Sequence, residues 1–231
     1  MNYEELNGLT AELNISKDQI LREEAEMMFL NELAGNKLGT QVVFYGGTAL
    51  RLAYSSPRFS EDIDLITIKP VEFKNFKSFI DQVVKNNSNW KVKDIKNKRK
   101  TMFALLLIKD EKLKHAFSLK IEIHKPAKRI KLITNLSLIK SQVSILEPLL
   151  LVPVLAELKR LKEEAIMDRQ KARDIFDLWY ISQALKINFE LPGEVPAYSE
   201  RKFKNELQVF LPQKFYPIIS QLYGKIDRQN K

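Results

Sequence analysis

Asp62 and Asp64 are spaced to act together. They stand two residues apart in a run that reads as a β-strand from about Glu61 to Ile68. Both carboxylates therefore leave one face, while Ile63 and Leu65 enter the core. Upstream, Gly46-Gly47 breaks a short apolar strand, Val42 to Tyr45, and Thr48 opens an amphipathic helix through about Tyr54. Glycine accepts backbone angles that other residues resist and lets a ligand approach closely. The N–H groups of a helix start suit phosphate, and hard carboxylate oxygens suit the Mg²⁺ that bridges it. The pattern is a layout for handling a metal-bound phosphate.

The flanking chain supplies elements to hold that stretch. Ser16-Lys17-Asp18-Gln19 is a capping-box pattern, predicting a helix to about Leu33 with an apolar stripe that includes Ile20, Leu21, Ala25 and Phe29. Phe73, Phe76, Phe79, Ile80 and Val83 recur at helical spacing and read as core. Strand-like runs follow at Trp90 to Val92, Thr101 to Ile108 and Phe117 to His124. The last alternates cleanly: Leu119, Ile121 and Ile123 face inward, and Lys120, Glu122 and His124 share the other face. From about Lys140 the composition turns helical. A long helix is expected from near Pro148 and Pro153 to Met167, a break at Asp168-Arg169, and a second helix over 171–185. LPGEVP, at 191–196, reads as a linker, with helical segments at about 199–210 and 214–223.

Bulk composition narrows the class. At 231 residues the chain is long enough to bury a proper core, and 45% hydrophobic with 29% charged residues is ordinary for a soluble globular protein. The absence of cysteine excludes disulfides and thiolate zinc sites, and two histidines exclude a histidine-rich one. The polar, acidic N-terminus is no signal peptide, and the longest apolar run is too short to span a bilayer, so a cytoplasmic location is expected. The net charge of +9 favours a polyanionic partner. Basic residues concentrate between Lys85 and Lys131, most densely at Lys96, Lys98, Arg99 and Lys100.

The stretch from Val42 to Ile68 resembles the nucleotidyltransferase superfamily, and more closely its AbiEii/AbiGii toxin family, whose GGTAL and R-x-S-x-DIDL patterns are filled by Gly46 to Leu50 and by Arg58, Ser60 and Asp62 to Leu65. Lys120-Ile121-Glu122 is similar to the second motif of that family, with Glu in place of the usual Asp. Lys162, Ala165, Arg169, Arg173, Asp174, Asp177 and Leu178 fill the later motifs. On a helix, Arg173 and Asp177 lie one turn apart and can pair.

The resemblance implies an α/β fold, a nucleotidyltransferase core with a mixed sheet followed by a helical C-terminal half; the change of composition near Lys140 sets the expected boundary, with the core over 1–138 and the helical domain over 139–231. It implies transfer of a nucleoside monophosphate from an NTP with release of pyrophosphate. Asp62 and Asp64 would bind Mg²⁺, with Glu122 completing the carboxylate set as metal ligand or proton acceptor. Gly46, Gly47, Thr48 and Ser60 would cradle the phosphates, and Arg58, Lys120 and Lys162 would offset charge on the triphosphate. Lys162 and Asp174, a lysine and a carboxylate facing the metal site, would hold the triphosphate and orient the acceptor. The implied acceptor is RNA such as tRNA, and the implied partner is an antitoxin protein. A transferase acting on a protein or small molecule, and an inactive nucleic-acid-binding module of the same fold, remain open at this point.

Overall fold

In the computed structural model, residues 1–127, 131–169, 171–193 and 199–229 are described. Part of the expected basic stretch (128–130) and part of the expected linker (194–196) lie outside them.

Two N-terminal helices come first, α1 (Tyr3–Leu13) and α2 (Lys17–Ala34). Each starts on a side-chain cap: the Asn2 side chain accepts from the Glu5 N–H in a full capping box, and Ser16 accepts from the Gln19 N–H. Then follow β1 (Val42–Tyr45), α3 (Gly46–Tyr54), β2 (Asp62–Thr67), α4 (Phe73–Asn86), β3 (Trp90–Asn97), β4 (Thr101–Ile108) and β5 (Phe117–His124).

The five strands form one mixed sheet in the order β1-β2-β5-β4-β3. β2 runs parallel to β5, and the other neighbours are antiparallel. Strand β5 is thus carried by a hairpin partner, β4, into the place beside β2. Strict alternation of buried and half-buried residues along β4 and β5 sends one set of side chains into the core. There Ile63, Leu65, Leu119, Ile121 and Ile123 meet Phe29 and Leu33 of α2 and Phe76, Phe79 and Ile80 of α4. The Phe29 and Phe79 rings pack edge to face with centroids 5.4 Å apart.

A second, two-stranded antiparallel sheet joins β6 (Thr134–Leu138) and β7 (Leu149–Pro153). The helix expected from near Pro148 is corrected here: Leu149–Pro153 is a strand, and α5 covers Leu155–Arg169. A short apolar run suits a strand or a buried helix turn equally. Pairing with β6 decides for the strand, and Leu150 and Val152 then point inward. Ile139, Val143, Leu150 and Val152 all belong to the first core, beyond the 138/139 boundary expected from composition. The expected break at Asp168-Arg169 also moves, since helix α5 continues through Arg169.

The remaining helices are α6 (Ala172–Leu185), α7 (Glu200–Gln208) and α8 (Tyr216–Gln229). They build a second core around Ile175, Phe176, Phe203, Leu207 and Leu222. Leu50, Leu158 and Ile181 form a small buried cluster that fastens α3 to α5 and α6. This contact matters for function, because it sets the C-terminal helices against the glycine-led helix.

Candidate active site

Burial of the isoleucines and leucines on β2 and β5 leaves Asp62, Asp64, Lys120 and Glu122 on the opposite face. The parallel register sets Asp62 across from Lys120 and Asp64 across from Glu122, while Tyr45 of β1 lies across from Asp64. Residues 58 apart in sequence thereby share a few ångströms of surface. The Lys120 ammonium lies 2.9 Å from Asp62 Oδ2 and 3.2 Å from Glu122 Oε2. Burial and the nearby Asp62 carboxylate raise the Asp64 carboxyl to about 6, with Glu122 adding to the shift. Burial and the Asp64 and Glu122 charges push the Tyr45 hydroxyl up as well.

The glycine turn packs directly against this face. Gly46 has φ +86°, and a Cβ there would lie 2.6 Å from Asp64 Oδ2. At Gly47 an added Cβ would meet Arg58 Nη2 at 2.3 Å and Ser60 Oγ at 3.0 Å. Neither position has room for a side chain. Tyr45 precedes the helix, and its side chain does not cap the first turn of α3. Gly46→Ala is expected to cost about 1–3 kcal/mol, from strained backbone and displacement of Asp64. A urea midpoint equal to wild type would show that the turn tolerates the methyl.

Two residues assigned to phosphates by resemblance sit elsewhere. Thr48 is buried and donates its hydroxyl to the Asp62 carbonyl, locking α3 to β2. Arg58 is 2% exposed, and its Nε and Nη2 each donate to an Asp177 carboxylate oxygen at 2.7 Å. Its Nη1 donates to the Phe59 carbonyl at 2.8 Å. The guanidinium therefore supports the glycine turn from beneath.

Asp177 also takes the Lys162 ammonium at 2.6 Å, which in turn lies 2.9 Å from Asp174 Oδ1. Arg169 donates twice to Asp174, from Nε and Nη2, each at 2.8 Å. The expected Arg173–Asp177 pair is corrected: a neighbour on the same helix loses to Arg58, which reaches in from the loop before β2. Burial alone would raise the Asp174 and Asp177 carboxyls. The adjacent cations, Lys162 and Arg169 for Asp174, and Arg58 and Lys162 for Asp177, outweigh it and hold both below the ordinary aspartate range.

Between the sheet face and α5 lies a cavity of about 500 Å³. Tyr45, Gly46, Asp64 and Glu122 line it from the sheet side together with Thr101 and His124, and Lys162 and Arg169 line it from α5. Of the residues singled out from the sequence, Gly46, Asp64, Glu122 and Lys162 meet in this cavity. Asp62 and Lys120 stand beside it on the same face, and Ser60 lies next to Gly47. Asp174 is fully buried behind Lys162 and Arg169. Neither Tyr45 nor Arg169 is given a site role by the sequence, although Arg169 fills one of the later motif positions. Both had a signal: Tyr45 immediately precedes the glycines, and Arg169 lies seven residues after Lys162, two turns along one helix face.

The donor set suits Mg²⁺. Asp62, Asp64 and Glu122 present hard oxygens on one face, and the like-charge crowding felt by Asp64 is what a divalent cation would relieve. Among the described residues, no three carboxylate or imidazole groups converge closely enough to share one ion unaided.

A carboxylate pair on a mixed sheet, packed against a glycine-led helix start at the edge of a cavity, is the arrangement of the nucleotidyltransferase fold. The family model described as nucleotidyl transferase AbiEii toxin, type IV TA system, matches residues 29–217, and the chain belongs to that family. Among solved structures it is similar to JHP933 from Helicobacter pylori, with 18% identity over 93% of this chain and 96% of that one, at TM-score 0.56. It is also similar to MenT4, a nucleotidyltransferase toxin from Mycobacterium tuberculosis H37Rv, with 16% identity over 84% of this chain and 65% of that one, at TM-score 0.54. These identities speak for the fold alone. No curated protein matches the sequence. Among the described residues, no helix is long and apolar enough to cross a membrane.

Proposed function

We infer that this nucleotidyltransferase toxin moves a nucleoside monophosphate from an Mg²⁺-bound NTP onto RNA, tRNA being the class of acceptor the family suggests. The observation that carries the reading is the placement of Asp62, Asp64 and Glu122 on one sheet face beside the glycine-led start of α3. Asp62 and Asp64 would hold Mg²⁺, which supplies charge neutralisation to the triphosphate. The α3 amides at Gly46 and Gly47, with Ser60, take phosphate oxygens. Lys162 and Arg169 face the triphosphate from α5 and offset the charge that develops on it. An acceptor hydroxyl oxygen bonds to the α-phosphorus as the bond to the pyrophosphate oxygen breaks. Glu122 takes the hydroxyl proton or joins the metal ligands. Asp174, held ionised by two cations, is a poor base and serves to position Lys162 and Arg169.

The basic hairpin supports an RNA acceptor. Lys98, Arg99 and Lys100 are exposed in the β3–β4 turn, with Lys96 exposed near the end of β3. Thr101, next in the chain, pairs with His124, and both line the cavity. A polyanion lying on the hairpin tip is therefore led to the carboxylates. The cognate antitoxin is the protein partner in this reading.

Incubating the protein with each labelled NTP, in the presence of total RNA or of protein, tests the assignment. Label in RNA is expected; label only in protein reassigns the acceptor, and label nowhere leaves an inactive binding module. Replacing Lys96, Lys98, Arg99 and Lys100 by alanine should also flatten the salt dependence of RNA binding, by roughly 0.7 in log–log slope per lost phosphate contact to a single strand. An unchanged slope would assign the hairpin to a solvated surface.

A further inference from the structure

We propose that Lys120 is a built-in cation of the catalytic face, standing between Asp62 and Glu122 where a second divalent ion would otherwise bind, so that the nucleotide-free site takes one metal ion rather than two. The proposal concerns the same site as the function inferred above and rests on that reading only for its catalytic meaning.

The parallel pairing of β2 with β5 sets Lys120 directly across from Asp62 and two residues from Glu122 on one strand face. Its ammonium bridges the two carboxylates, at 2.9 Å from Asp62 Oδ2 and 3.2 Å from Glu122 Oε2. Those oxygens belong to different strands, and a side chain from β5 joins them as a shared ion would. The ammonium cannot be a passing surface contact, because its side chain is only 33% exposed and both partners are themselves partly buried.

Charge balance points the same way. Asp62, Asp64 and Glu122 carry three negative charges when ionised. In the nucleotide-free protein one divalent ion and one ammonium balance them, whereas two divalent ions beside that ammonium, with no triphosphate to offset them, would leave two positive charges in excess at contact distance. Asp64 has no contact with Lys120 of the kind Asp62 and Glu122 have, and it borders the cavity at Gly46. The single ion therefore belongs on the Asp64 side, shared with Asp62. Lysine suits the fixed position because it is a compact point charge on a flexible stem and needs no metal concentration to stay in place.

The test counts ions on the full chain. Titration with Mn²⁺ alone, read by the electron paramagnetic resonance of the free ion at fixed ionic strength, is expected to find one ion per chain for wild type and for Lys120→Arg. It is expected to find two for Lys120→Met, which keeps an unbranched stem but no charge. Equal counts in wild type and Lys120→Met, whether zero, one or two, would overturn the proposal. A measurement on wild type alone guards against a misfolded variant: mass-spectrometric acetylation of Lys120 should be low and unchanged by Mn²⁺. A several-fold rise on adding Mn²⁺ would mean that metal displaces the lysine, and would also overturn it. Transfer activity separates this idea from the functional reading. A wild type that labels no acceptor yet shows the one-to-two change refutes the function and sustains the role of Lys120, while two ions on an active wild type do the reverse.

Discussion

The Asp64→Asn protein is expected to fold like wild type and to lose on the order of a hundred- to a thousandfold of its nucleotidyl transfer rate. Asparagine keeps the shape of the side chain, so the close fit against Gly46 survives. What disappears is the charge that would bind Mg²⁺ beside the triphosphate. Removing that charge also relieves the crowding that burial and Asp62 impose on Asp64, so the urea midpoint should equal or exceed that of wild type. Loss of rate without loss of stability is the signature of a residue retained for chemistry. Asp62→Asn should behave alike, with a smaller gain in stability, because it also breaks the contact with Lys120. Retention of full transfer activity by Asp64→Asn would end the metal-dependent reading of this face.

Asp177→Asn is expected to destabilise the protein by about 3–5 kcal/mol, the usual cost of stripping one partner from a buried ion pair. Asp177 is fully buried and holds the Arg58 guanidinium through two hydrogen bonds, with Lys162 as a third contact. Asparagine keeps one acceptor oxygen but not the charge, so Arg58 is left 2% exposed beneath the glycine turn without its counter-ion, one of its nitrogens now facing an amide NH₂. An Arg58→Met, Asp177→Leu double variant should recover much of the loss, since apolar groups of similar size leave no bare charge. The sign with pH follows from the lowered carboxyls of Asp174 and Asp177. Their contribution is fully present above about pH 4, where an unfolded aspartate ionises, and is lost as pH falls below that towards the depressed folded-state values. Equal urea midpoints for wild type and Asp177→Asn at pH 7 would show that the pair adds nothing net.

Local pattern was enough for the catalytic strands. Period-two alternation sets both ends of β4 and β5, Thr101–Ile108 and Phe117–His124, and places Asp62 with Asp64 on one face and Lys120 with Glu122 on another. The Ser16 cap likewise sets the start of α2. Helix α1 was overlooked although Asn2 and Glu5 form its capping box, because its polar sequence buries only Leu6 and Leu13 and shows little periodicity.

What the sequence determined by itself was therefore the chemistry available: a glycine-led helix start, two carboxylates on a strand face, and a third on a strand of unknown neighbour. Only the tertiary structure decided which groups meet. It put β5 parallel to β2, which gave Lys120 to Asp62 and Glu122. It withdrew Arg58 from the phosphates by burying it against Asp177, a partner 119 residues away. It also turned Asp174 from a candidate acceptor-orienting acid into the anchor of Lys162 and Arg169. The physical reason is common to all three. A charged side chain removed from water must find an opposite charge wherever the packed cores place one, and the sequence spacing of the two carries no record of that distance.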